Sequence, residues 1–216
     1  MMSHSFSYGD LAYIVESARW TIFLSVIAFA GGGLIGGIVA VLRVSRLSVL
    51  RAIAIGYIRL FQGTPLLMQL FIAFFLPSVV GISIDPLLAA AVALTFNASA
   101  FLGEIWRGCI EAVPRGQWEA ASALGVHYVL QLRLIILPQA IRVAIPPTVG
   151  FLVQLVKATS LAAIIGFTEL TRAGQVLVNS TFRPFLVFSI VAAIYFFLCW
   201  PLSILSGRLE KRLATE

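Results

Sequence analysis

Two groups of residues carry the chemistry of this 216-residue chain. One is a polar island, Glu119-Ala120-Ala121, then Gly125, then Ile135 with Leu137-Pro138, set between two apolar stretches of membrane length. An acid, two small residues and a turn-forming glycine suit docking against a partner more than making or breaking bonds. The other group is a scatter of polar side chains inside apolar stretches: Arg59, Gln62, Gln69, Asn97, Glu104, Gln154 and Lys157. A charge at the centre of a span costs about 2.5–3.5 kcal/mol on insertion scales, so such residues face protein or water and become candidates for a polar path. The Gly63-Thr64-Pro65 break adds Thr64 to them, because interrupted helices at membrane depth line cavities or lie buried in protein.

Bond-making chemistry is poorly represented. Neither Lys157 nor Lys211 stands in a Gly-x-x-x-x-Gly-Lys-Ser/Thr loop, so that route to ATP is closed. His4 and His127 lack the His-Glu-x-x-His spacing of a zinc hydrolase, and there is no Gly-x-Ser-x-Gly elbow. Cys109 and Cys199 have a spacing that suits neither a zinc site nor a disulfide framework and read as small packing residues. The expectation is no catalytic site, no metal and no cofactor in this chain.

The elements that must position these residues are transmembrane. Hydrophobic residues make up 60% of the chain, charged residues 11%, and the mean hydropathy is +1.01, whereas soluble domains are about 45–50% apolar and about 25% charged. Five stretches are long and apolar enough to cross a bilayer, about 20–42, 52–76, 86–106, 143–166 and 184–206. They predict one domain over 1–216, an all-α polytopic membrane bundle. Residues 1–17 carry no Lys or Arg, so a cleavable targeting segment is not expected.

Orientation follows from the basic residues, which are retained on the cytoplasmic side of short loops. With the N-terminus outside, the inner loops and tail hold Arg43, Arg46, Arg51, Arg115, Arg133, Arg142, Arg208, Lys211 and Arg212, and the outer segments hold Arg19, Arg172 and Arg183. Nine against three places the N-terminus outside and the C-terminus in the cytoplasm. Charges scattered between spans, not gathered on one face, argue against a nucleic-acid partner.

In this topology the polar island falls in a cytoplasmic loop at 111–142. Glu119, Ala120, Ala121, Ala123 and Leu124 favour a short helix broken by Gly125, and a second helical stretch, 126–137, is expected to stop at Pro138. Two short helices across the inner surface would make a docking knob or an amphipathic linker on the head groups, and the residues alone leave both open. Arg59 lies about 10 Å inside its span and Glu104 a few ångströms from the cytoplasmic end of its own, so they are candidates for a structural ion pair. Lys157, about 14 Å from the outer end of its span, is a candidate to meet a substrate carboxylate or to bond carbonyls freed near Pro146-Pro147. Gly32-x3-Gly36 and Gly33-x3-Gly37 allow close helix approach. The outer segment 167–183 is too polar for a sixth span and predicts a short surface helix and loop.

The run Glu119-Ala120-Ala121-x3-Gly125-x9-Ile135-x-Leu137-Pro138 resembles, at every defining position, the EAA loop of the membrane subunits of bacterial ABC importers. Further blocks are similar to the polar amino-acid permease family, which includes histidine, arginine, glutamine and glutamate importers. These are Gly63-Thr64-Pro65-Leu66-Leu67, Glu104-Ile105-x-Arg107-Gly108, Arg115-Gly116-Gln117, Leu137-Pro138-Gln139-Ala140, Leu155-x-Lys157-x-Thr159-Ser160-Leu161 and Glu169-Leu170. The chain departs from the family at Gln62, where Arg is common, at Cys109 and Ala158, where Gly and Asp are usual, and at Gly150 or Phe151, where Asn is frequent. None of these departures touches the EAA run.

The resemblance implies a multi-pass inner-membrane permease subunit of an ATP-driven importer. Its partners would be cytoplasmic ABC ATPase subunits that hold the ATP and Mg, a second permease subunit, identical or paralogous, and an extracytoplasmic solute-binding protein that delivers a polar amino acid. Glu119 would be the main polar contact to the ATPase, Ala120 and Ala121 close-packed small residues, and Gly125 the turn. Gln62, Thr64, Asn97, Gln154 and Lys157 would be the substrate-path candidates. Glu169 and Arg172 would be candidates for docking the binding protein. An ion-coupled carrier or channel subunit acting without an ATPase is the alternative.

Overall fold

A computed structural model describes residues 6–214; His4 lies outside the described residues. The chain forms α1 (Tyr8–Arg43), α2 (Ser48–Gly63), α3 (Leu66–Val79), α4 (Pro86–Glu111) and α5 (Arg115–Ala123). After these come α6 (Tyr128–Leu130), a π-helical turn (Gln131–Ile136), α7 (Leu137–Ala158), a 3-10 stretch (Thr159–Ile165), α8 (Leu170–Thr181) and α9 (Pro184–Ala214). No strand occurs among the described residues. Local chemistry sets several of the starts. The Asp85 side chain accepts from the Leu87 N–H at 2.8 Å, with Pro86 in the first turn, where its missing N–H costs nothing.

Four helical runs are long and apolar enough to span a membrane: α1, α4, the continuous run Tyr128–Ile165, and α9. The expected second span is not a straight helix. α2 and α3 pass the length and hydropathy test only together, and they meet at 98°. Pro65 forces the residue before it into extended backbone, and Thr64 accordingly has ψ 141°. The α1 helix begins at Tyr8, well before residue 20, because a polar first turn continues the same helix outside the apolar stretch.

Pro138 does not stop a helix here. It stands in the first turn of α7, and the π turn immediately before it widens the backbone where the proline ring would otherwise meet the carbonyl four residues back. The fourth span is therefore the upper part of one run beginning at Tyr128, not a helix beginning at 143. Pro146 and Pro147 lie inside it, not at its start. Ser206 of α9 donates to the Pro146 carbonyl at 2.9 Å, joining α9 to this irregular stretch.

At the centre, α1 and α4 touch backbone to backbone. A Cβ at Gly32 would stand 2.7 Å from the Ala98 Cβ, one at Gly36 3.0 Å from the Ser99 carbonyl oxygen, and one at Gly103 2.8 Å from a Val39 methyl. The glycine pattern thus serves packing within the subunit. Gly33 and Gly37, one position round, face only the Trp106 ring at an ordinary 3.6 Å. Leu24, Ala28, Leu94, Ala98 and Leu102 complete this buried seam, and Trp106 ties α4 to α7 by donating to the Thr148 hydroxyl at 2.8 Å.

The seam makes a contrast test available. Gly32→Ala should lose about 1–3 kcal/mol through overpacking, whereas Gly33→Ala should be neutral or slightly stabilising, because alanine is the better helix former by about 1 kcal/mol. Thermal unfolding midpoints of the two variants in the same detergent check this.

Candidate functional site

The polar island becomes α5 and the turn after it. Gly125 has φ +71°, a left-handed conformation that strains side-chained residues, and a Cβ there would meet nothing within 4 Å, so the demand is conformational and not spatial. The turn is closed by the Gly125 N–H to the Ser122 carbonyl at 3.0 Å and the Val126 N–H to the Ala121 carbonyl at 3.1 Å. Glu119 and Ala120 face outward. Ala121 does not: it is 2% exposed and packs inward, so of the two alanines only Ala120 is free to meet another surface. Leu124, 81% exposed beside Gly125, presents an apolar side chain at the surface in addition to favouring the helix.

The element is rooted firmly. Trp118 packs against a buried cluster of Ile110, Val113, Leu132, Ile136 and Ala140. Gln131, 3% exposed, donates to the Val126 carbonyl at 2.6 Å and to the Ser122 hydroxyl at 3.0 Å, which closes the turn from inside. Tyr128 stacks on Trp118 at 5.9 Å between ring centres and donates to the Val44 carbonyl at 2.5 Å. The second stretch of the loop is thus the foot of the fourth span and not a separate surface helix.

The substrate-path candidates divide into two sets with no hydrogen bond between them. At the α2–α3 break, Gln69 donates to the carbonyls of Phe61 at 2.8 Å and Thr64 at 3.1 Å and to the Thr64 hydroxyl at 2.9 Å. Asn97 donates to the Gln69 side-chain oxygen at 3.1 Å and to the Phe61 carbonyl at 3.4 Å. Gln62 donates to the Ala100 carbonyl of α4 at 3.3 Å. The carbonyls at the Pro65 break are therefore taken by the protein itself. Gln154 and Lys157 form the second set, both exposed, three apart on one face of α7. Lys157 opens onto a cavity of about 540 Å³ lined also by Ser160, Tyr195, Phe196, Trp200 and Ser203. That is within the usual range of about 300–1,000 Å³ for small-molecule sites.

Two expected roles change. Glu104 does not pair with Arg59: it accepts from Arg107 at 2.6 Å and from Arg43 at 3.4 Å, and Arg107 also bonds Glu111. Arg59 is exposed on α2 and meets no carboxylate among the described residues. The local Arg107 partner, three residues on, follows the helical neighbour rule; the Arg43 partner needs the α1–α4 contact.

Glu169 is not a surface docking residue either. It is 0% exposed, capping α8 by accepting from the Arg172 N–H at 2.9 Å while also receiving the hydroxyls of Tyr195 at 2.8 Å and Thr21 at 3.3 Å. Burial pushes its carboxyl above the usual range, opposed by the Thr171 and Arg172 N–H groups and by the Tyr195 and Thr21 hydroxyls. Arg172 is partly exposed and bonds Gln175 at 3.3 Å, so of this pair only Arg172 is available to a partner. The outer segment does form a short helix, but one half-sunk against α1 and α9.

Residues 32–215 match the model of the family described as "Binding-protein-dependent transport system inner membrane component". The L-cystine transport system permease protein TcyB of Bacillus subtilis is 39% identical over 195 residues, 90% of this chain and 83% of its own. The glutamine transport system permease protein GlnP of Escherichia coli K12 is 36% identical over 202 residues, 93% of this chain and 92% of its own. A crystal structure of an amino acid ABC transporter with histidines superimposes with a TM-score of 0.88 at 33% identity, covering 93% of this chain and 94% of that one.

Because folded Glu169 holds its proton more tightly than the unfolded chain does, its contribution to stability is full below the ordinary value of 4.5 and is lost as pH rises through the folded value. Each unit of difference is worth about 1.4 kcal/mol. The thermal midpoint should therefore fall from pH 5 to pH 8, and Glu169→Gln, which keeps the cap without the charge, should flatten that slope. Melting curves of both proteins across this range check it.

Proposed function

The chain belongs to the family of binding-protein-dependent transport system inner membrane components, and from that premise we propose that it is the membrane subunit of an ATP-driven importer for a polar amino acid. One observation supports this most directly: α5 and the rigidly rooted turn after it carry Glu119, Ala120 and Leu124 outward, a shape suited to seating in a partner. The partner is a cytoplasmic ABC ATPase, which holds ATP and Mg and performs the hydrolysis. Glu119 supplies the charged contact, Leu124 the apolar one, and Ala120 the close approach. Nine basic residues on the α5 side of the membrane, against three on the other, support an orientation with that side in the cytoplasm and the N-terminus outside.

A second permease subunit, identical or paralogous, and an external binding protein complete the machine. The binding protein delivers the amino acid at the α8 end, where Arg172 is the remaining charged contact. Lys157 meets the substrate carboxylate in the cavity between α7 and α9, with Ser160 and Ser203 as neutral hydrogen-bonding groups. The relatives carry cystine in one case and glutamine in another at similar identity, so "polar amino acid" is the class the resemblance supports.

Uptake of radiolabelled amino acids into vesicles holding the subunit, with and without its ATPase and binding protein, tests the reading. Uptake should require ATP and both partners, and Glu119→Lys should lower it about tenfold or more, since a reversed charge at an interface costs at least ~1.4 kcal/mol. Uptake by the subunit alone, indifferent to ATP and to Glu119, would mean a carrier or channel. Lys157→Met should abolish uptake while leaving assembly with the ATPase intact; normal uptake by that variant would remove Lys157 from the path.

A further inference from the structure

We propose that Tyr128 is the positioning residue through which the coupling element moves the first span, an inference that rests on the importer reading. Tyr128 joins three elements. Its ring stacks on Trp118 of α5 at 5.9 Å, with 22° between the planes; the Arg46 guanidinium lies over it at 4.4 Å; and its hydroxyl donates to the Val44 carbonyl at 2.5 Å. Val44 caps the C-terminus of α1, where the last carbonyls have no helical partner, so the bond falls on a group that needs a donor. A push on Glu119 or Leu124 therefore reaches α1 through Trp118 and one side chain, without first bending the π turn.

What lies beyond Val44 makes this route consequential. One residue before it, Arg43 bonds Glu104, and the glycine seam holds α1 and α4 in backbone contact above that point. The two helices move as one body. α4 carries Asn97, which grips the α2–α3 break through Gln69 and the Phe61 carbonyl. Displacement of α5 is thus delivered to the broken helix pair by way of α1 and α4, in addition to the direct continuation of α6 into α7.

Tyr128→Phe removes the hydroxyl and keeps the ring between Trp118 and Arg46. Amide hydrogen exchange on the purified subunit should show residues 44–47 opening faster in the variant, by about three- to tenfold, the range of one lost hydrogen bond, with 115–123 unchanged. In vesicles with ATPase and binding protein, amino acid taken up per ATP hydrolysed should fall by a similar factor at an unchanged hydrolysis rate. Unchanged exchange at 44–47 would overturn the link whatever the transporter does. Changed exchange with an unchanged uptake-to-hydrolysis ratio, or uptake and hydrolysis falling together, would reduce Tyr128 to a structural tie and overturn the proposal. A wild-type complex without ATP-dependent uptake would instead overturn the importer reading on which it rests.

Discussion

Helices in lipid gain little from the hydrophobic effect when they associate, because the tails around them are as apolar as their own side chains; close packing and hydrogen bonds must hold them. The α1–α4 contact supplies the first. Three glycines, Gly32, Gly36 and Gly103, bring the backbones so near that a single methyl would collide with Ala98, Ser99 or Val39. The other elements are fastened to this pair. α2 bonds to α4 through Tyr57 and Ser99, α7 through Trp106 and Thr148, and α8 to α1 through Thr21. Loosening the seam would leave each of these polar ties without a fixed partner.

The second requirement in lipid is that every backbone polar group find a partner inside the protein. Proline creates the difficulty and nearby side chains resolve it. Pro65 ends α2 and leaves carbonyls that Gln69 and Asn97 fill; Ser206 bonds the Pro146 carbonyl. Among the described residues no buried side-chain nitrogen or oxygen lacks a partner. The irregular stretches are thus stable in the conformation seen, and their polar groups become available to a solute only if Gln69 or Asn97 lets go.

Much of this architecture could be read from residue order. Apolar length marked the four long apolar runs and the bent α2–α3 pair, the glycine spacing marked the seam, and Glu119 to Gly125 marked the exposed turn. The unreadable parts share a cause, which is dependence on contacts distant in the chain. A lone Glu169 in a polar stretch looks like surface, and its burial rests on Thr21, 148 residues away, and Tyr195, 26 away. Glu104 pairs with Arg107, three residues on, as helical spacing allows, but its second partner, Arg43, stands 61 residues away and is met only through the α1–α4 contact. Pro65 announced a break without its angle, since a residue confined to extended backbone fixes a change of direction but not where the next helix lies. At Pro138 the expected stop failed because a π turn is an alternative to ending the helix, and nothing local distinguishes the two.

The turn that bears Glu119 and the cap at Glu169 are tied to the same helix, α1. Within α1, Thr21 accepts from the Leu170 N–H at the start of α8 and donates to Glu169; just past the C-terminus of the same helix, Val44 accepts from Tyr128 beside α5. Residues 21 and 44 are separated by about 35 Å of helix at 1.5 Å per residue, close to the roughly 30 Å thickness of a bilayer core. The element that bears Glu119 and the element capped by Glu169 therefore lie about a bilayer core's thickness apart, joined by a single unbroken helix free of proline. A straight helix transmits displacement along its length, whereas α2–α3 and α7 contain breaks or prolines that can absorb it. On mechanical grounds α1 is the stiff member and the proline-bearing helices are the compliant ones. A motion begun at α5 would then open or close the polar groups at the breaks before it distorted the seam.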